Sequence, residues 1–166
     1  MKNIILKNGL LGGLIVSIIM ISMTSYMKYN PQYEPSSFMG FISIFVANIF
    51  VVLGIKQHRE SNLGIISYGK AFQTGLLISL ITSTIYVGVW LIIYYNFFPD
   101  FMDRYGEMVL KNAKPDELAK KTIDIQQMKE WYKSPIMIII LTYIEIYPIG
   151  ILVSLIAAFR LRKKAN

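Results

Sequence analysis

Four long apolar runs divide the chain. Gly9 to Met27, Phe38 to Ile55 and Ala71 to Tyr95 contain no charged residue, and Pro135 to Phe159 contains one, Glu145. At about 1.5 Å of rise per residue, each run as a helix is long enough to cross a hydrocarbon core of about 30 Å, for which about 20 apolar residues suffice. Buried core helices of a soluble protein do not fit the pattern: the runs hold more than half the chain and leave almost nothing to wrap them. The pattern predicts an all-α membrane protein with four transmembrane helices, over 9–27, 38–55, 71–95 and 135–159, in a single integral membrane domain covering 1–166.

The polar stretches set the connections. Lys28 to Ser37, punctuated by Asn30-Pro31 and Glu34-Pro35, reads as a tight turn, and Lys56 to Lys70 as a polar loop carrying His58, Arg59, Glu60 and Gly64. The loop 96–134 is the one sizeable extramembrane piece. In it Phe98, Phe101, Met102, Tyr105 and Val109 recur at helical spacing opposite Asp100, Asp103, Arg104 and Glu107, the pattern of an amphipathic helix lying on the bilayer surface. Lys114-Pro115-Asp116-Glu117 resembles a second helix start, with Pro in the first turn and acids where the helix dipole favours them. Trp131 and Tyr132, just before the fourth run, suit an interfacial belt.

Charge adds an orientation. Lys2, Lys7, Lys56, Arg59, Lys70, Arg160, Arg162, Lys163 and Lys164 lie on the side shared by the two termini and the second connection, against one acid, Glu60. The opposite side spreads its basic residues over a longer stretch among as many acids, so the density of Lys and Arg places both termini in the cytoplasm and 96–134 in the periplasm of a bacterial inner membrane. The net charge of +7 then reflects topology and attraction to membrane lipids, and calls for no nucleic acid. Lys2 and the run after it could also be read as a secretory signal, with Ser22-Met23-Thr24-Ser25 near its end. The length of a true span and the lack of a clear A-x-A site favour a retained helix.

Composition removes most chemistry. Apolar residues make up 54% of the chain and charged residues 16%, and there is no Cys and one His. Disulfides, thiolate metal sites, Cys nucleophiles and His clusters are therefore excluded. No G-x-S-x-G, H-E-x-x-H or G-x-G-x-x-G occurs. No catalytic residue, cofactor or metal site is predicted, and the chain is not expected to be an enzyme. His58 is expected to be a solvated loop residue, and Lys7 and Lys70 to snorkel to headgroups. The paired acids Asp100 and Asp103, or Asp116 and Glu117, read as solvated faces.

Two polar patterns remain inside the runs. Small residues at four-residue spacing, Gly9, Gly13 and Ser17, then Ala71, Gly75, Ser79 and Ser83, then Gly150, Ser154 and Ala158, mark faces where helices approach closely. They serve either packing within one bundle, the favoured reading, or a dimer seam. Gly13 to Ile19 also aligns loosely with Gly75 to Ile81, a weak sign of an internal repeat. The second pattern is one residue, Glu145, since a charged side chain deep in a span is costly and is a candidate functional site. The favoured reading is a neutral, hydrogen-bonded structural carboxyl or one facing a short water-filled dip, and the alternatives are a proton or ligand site and an ion pair with a partner protein. Pro148 cannot donate to the Ile144 carbonyl, which predicts a kink beside the carboxyl. Asn48, Thr82, Thr84, Tyr86 and Ser22 lie at comparable depth and are candidate hydrogen-bond partners for it.

Several stretches together resemble a known family. Gly54-Ile55-Lys56, Ser67-Tyr68-Gly69-Lys70-Ala71-Phe72, Phe98-Pro99-Asp100-Phe101-Met102, Tyr132-Lys133-Ser134-Pro135, Glu145-Ile146-Tyr147-Pro148-Ile149-Gly150 and Arg162-Lys163-Lys164 are similar to the domain-of-unknown-function 4199 family, small four-span membrane proteins of Bacteroidota-type bacteria. The resemblance implies the fold and carries no catalytic or binding residues. The residues themselves point to a non-enzymatic accessory or assembly partner in the cell envelope, acting with another envelope protein or as a homo-oligomer. The alternatives are a small oligomeric transporter or lipid-handling protein using Glu145 near Pro148 and, less favoured, a membrane enzyme built on Glu145, Asp100, Asp103 or His58.

Overall fold

Where the sequence is apolar the backbone is helical, and the helices outrun the apolar runs. The computed structural model describes residues 1–30 and 37–163, with α1 (Lys2–Tyr29), α2 (Ser37–Ser61), α3 (Tyr68–Asn96), α4 (Phe101–Lys111), α5 (Leu118–Trp131) and α6 (Pro135–Leu161). Most of the turn at Asn30-Pro31 and Glu34-Pro35 lies outside the described residues, as does Lys164. α1, α2, α3 and α6 are the four spans of a multi-pass membrane protein, long and apolar enough to cross a bilayer.

Their ends follow local chemistry. α2 does not stop where the charges begin at Lys56 but continues to Ser61, so the expected loop from Lys56 to Lys70 shrinks to the few residues after α2. It stops where Leu63 (φ 53°) and Gly64 (φ 79°) turn left-handed and the Gly64 N–H donates to the Arg59 carbonyl at 2.9 Å, a helix-ending geometry that glycine adopts without strain. Ser67 then caps α3, accepting from the Lys70 N–H at 3.4 Å. Pro115 falls short of a helix start, since α5 begins at Leu118 with Glu117 as its cap. Pro135 does open α6, which runs through Pro148 as one helix.

The four spans form a bundle in which α2 and α3 each pack on the other three, with α1 and α6 at opposite corners. The start of α1 and the end of α6 lie at one end, the tail end, and the α4–α5 hairpin lies at the other. Ile66 and Lys163 exchange backbone hydrogen bonds of 3.0 and 2.9 Å, tying the chain's last described residues to the α2–α3 turn. At the hairpin end the Lys28 ammonium donates to the Phe97 carbonyl at 2.9 Å, holding the end of α1 to that of α3.

Small residues set the spacing of the helices. A Cβ added at Gly9 or Gly13 would meet Ile81 or Ile85 of α3 at 2.7 and 2.8 Å, and one added at Gly75 would meet the Ser154 hydroxyl of α6 at 2.7 Å. One at Gly150 would meet the Ser79 side chain, with Cβ at 2.7 Å, and the Asn48 amide oxygen at 3.2 Å. Gly9, Gly13, Ser17, Gly75, Ser79, Ser83, Gly150 and Ser154 are all buried against helices of their own chain. Among the described residues the Ser17 and Ser83 hydroxyls have no hydrogen-bond partner, so at these positions small volume is what the bundle uses. The outward faces carry large apolar side chains, among them Leu6, Leu10, Leu14, Ile18, Ile144, Leu152 and Ile156, as a lipid-facing surface requires.

The roots of the hairpin pack on the bundle. Phe98, only 2% exposed, packs with Met20, Trp90, Ile93 and Ile138 from three spans. α4 is amphipathic as expected, but its apolar face meets protein: Phe101 stacks edge-on against Trp90 at 4.8 Å, and Gly106 abuts Ile125 of α5. Lys129 bridges α5 to Asp103 of α4 at 2.6 Å.

Candidate functional site

α3 carries Tyr86, Trp90 and Tyr94 at four-residue spacing, hence on one face, at the level where the hairpin returns to start α6. Glu145 on α6 meets this face, with its carboxyl beside the Tyr86 hydroxyl. Tyr132, just before α6, packs edge-on against Tyr94 at 5.4 Å and against the cluster that includes Trp90. Burial and then the nearby Glu145 carboxylate push the Tyr132 phenol up to about 12, so it stays a neutral hydrogen-bonding group at any physiological pH. The outcome is one carboxyl beside the Tyr86 phenol, on a face lined by the rings of Trp90 and Tyr94.

Glu145 itself remains exposed, as do its neighbours Ile144 and Pro148. Among the described residues no Lys or Arg pairs with it: the ion pairs are Lys56–Glu60, Arg104–Asp100, Lys121–Glu117, Lys129–Asp103 and Lys133–Glu130, all outside the apolar middle of the spans.

Of the residues expected near the carboxyl, Tyr86 is brought to it and the others have different partners. Thr84 shares a 2.8 Å hydrogen bond with Tyr143 and donates to the Leu80 carbonyl. Thr82 reaches across to the Gly9 carbonyl at 3.2 Å, in the seam of α1 and α3. Asn48 donates to the Ile44 carbonyl at 2.8 Å beside Gly150 and Ser79, and Ser22 to the Ile18 carbonyl. Trp90 was missed as a site residue because an aromatic in an apolar run carries no polarity signal, and Tyr132 because the sequence presents it only as part of an interfacial belt; the spacing of Tyr86, Trp90 and Tyr94 was the available clue.

His58 corrects the expectation of a solvated loop residue. It lies in the last turns of α2, buried, with Nδ1 2.7 Å from the Thr74 hydroxyl of α3. Thr74 commits its one proton to the Lys70 carbonyl at 2.7 Å, so the imidazole Nδ1–H is the donor between them. Nearby, Asn8 donates to Gln57 at 2.8 Å, a second side-chain link at the tail end. Among the described residues no three His, Cys, Asp or Glu converge as metal ligands.

Fold and site together define a four-span helical membrane protein with one carboxyl–phenol cluster toward its hairpin end. The chain belongs to the family described as protein of unknown function (DUF4199), whose model matches residues 7–163. No curated protein and no solved structure shows a match to it.

Proposed function

We propose that the protein is a non-enzymatic accessory or assembly partner of another protein in the bacterial inner membrane, with both termini cytoplasmic and residues 96–134 periplasmic. The observation that carries this reading is the use of the small-residue faces. Gly75, Gly150, Ser79 and Ser154 are consumed in packing α3 against α6, and Gly9 and Gly13 in packing α1 against α3, so the bundle centre is filled and the exposed carboxyl is left at its surface. A filled centre suits a protein that works through its faces. The orientation rests on the density of Lys and Arg at the tail end. Purification in mild detergent, with crosslinking in membranes beforehand, tests the proposal: a second envelope protein should accompany the chain in stoichiometric amount. A chain that runs alone under both treatments overturns it.

A second reading is favoured by one feature, the exposed Glu145 beside Tyr86 near Pro148. In it, several copies line a route for a small solute or a lipid, with Glu145 at the working site, since four helices with a filled centre make no pathway alone. Glu145→Gln keeps the shape and removes the charge. Flux in proteoliposomes should then fall at least about tenfold if the carboxylate works there, and unchanged flux rules this reading out.

A further inference from the structure

Glu145 is the only charged residue in the middle of any span, and its surroundings are incomplete. Along α6 the exposed residues Glu145, Pro148, Leu152, Ile156 and Phe159 recur at spacings of three and four, which lines them up as one strip. Such a strip, apolar but for one carboxyl, is the form of a helix-packing seam with one polar position that fixes register. On its own chain the carboxyl lies near the Tyr86 phenol, and among the described residues no Lys or Arg pairs with it.

We infer that this strip of α6, with Glu145 at its hairpin-ward end, is the docking face for a membrane-spanning helix of a different protein that carries a Lys or Arg at the depth of Glu145. The inference rests on the accessory-partner reading and names the partner's chemistry. Charge complementarity selects the occupant. A second copy of this chain cannot supply the cation, because its spans have no Lys or Arg in their middle and its own strip offers another carboxylate. A lipid ammonium does not reach either: Glu145 lies ten residues, on the order of 15 Å, inside the start of α6, well below headgroup level. A basic residue on a spanning helix can sit at that depth, since a buried cation there gains the same relief from pairing that Glu145 does.

The test uses the purified full chain in lipid vesicles with synthetic Leu/Ala-rich spanning peptides, read by energy transfer between labels. One peptide carries a single Lys near its middle, a second Gln there, and a third Glu. Wild-type protein should bind the Lys peptide at least about tenfold more tightly than the Gln peptide. Glu145→Gln should erase that preference while unfolding at the wild-type temperature, and Glu145→Lys should transfer it to the Glu peptide. Equal binding of the Lys and Gln peptides by wild type overturns the inference, as does a Lys preference that survives in Glu145→Gln. Co-purification separates this from the parent reading: a native partner retained equally by wild type and Glu145→Gln leaves the accessory role standing and removes the docking face. No native partner, with the peptide preference intact, does the reverse.

Discussion

The two halves of α3 solve different packing problems. Toward the tail end its buried residues are Ala71, Thr74, Gly75, Ile78 and Ser79, small or slender groups that let α6 and α1 approach until an added methyl would collide. Toward the hairpin end the same helix presents Tyr86, Trp90 and Tyr94, and these rings pack against a loop and a neighbouring helix. The first half gains from close backbone approach, which in lipid replaces the missing hydrophobic drive. The second trades closeness for aromatic surface and polar tips, and it is there that a carboxyl is accommodated. A helix can thus be a structural spine at one end and the wall of a site at the other, with residue size as the variable that changes.

The sharpest way to break this contrast is to add one methyl against the tail half and one in the hairpin half. Gly150→Ala, facing Ser79 and Asn48, should lower stability by about 1–3 kcal/mol, as overpacking does. Gly88→Ala, at a glycine in the hairpin half whose added Cβ would meet nothing within 4 Å, should be neutral or raise stability by up to about 1 kcal/mol through helix propensity. Reversible unfolding in mixed micelles measures both. Equal effects at the two positions would dissolve the distinction.

The spans were legible because charge vanishes for the length of a bilayer crossing, and the close-packed half because Gly and Ser recur every four residues. What hid was what hydropathy does not encode. The charges from Lys56 onward mark where a membrane boundary falls, yet α2 continues to Ser61, and His58 is buried because Thr74 on the next helix waits for it. Tyr132 joins the site because the chain entering α6 passes beside Tyr94 at the end of α3, a tertiary contact that hydropathy does not encode. The expected set of Asn48, Thr82 and Thr84 around Glu145 rested on depth alone, and depth does not fix which side of a helix a residue takes.

A smaller effect refines the tail-end half. Thr74→Val keeps the shape and removes the hydroxyl that accepts from His58, which should cost about 1 kcal/mol. Because His58 is the sole histidine, its imidazole gives a single NMR signal, and that signal should move with the substitution. An unmoved signal would place the ring elsewhere. The smallest effect belongs to the exposed hairpin pair: Asp103→Asn breaks the bridge to Lys129 and should change stability by no more than about 1 kcal/mol. A larger loss in unfolding would mean that the α4–α5 hairpin leans on charge more than on Phe98 and Ile125.

The central proposal to test is that the tail end and the hairpin end lie on opposite sides of a membrane, tails inward. The chain has no native Cys, so single Cys residues at exposed Ser61 and Asn112 report it without background. In cells with a permeable outer envelope and an intact inner membrane, Cys at Ser61 should resist an impermeant thiol reagent until the membrane is lysed, and Cys at Asn112 should react at once. Reaction at Ser61 with protection at Asn112 would turn the protein over, and reaction at both positions in intact cells would contradict a span between them.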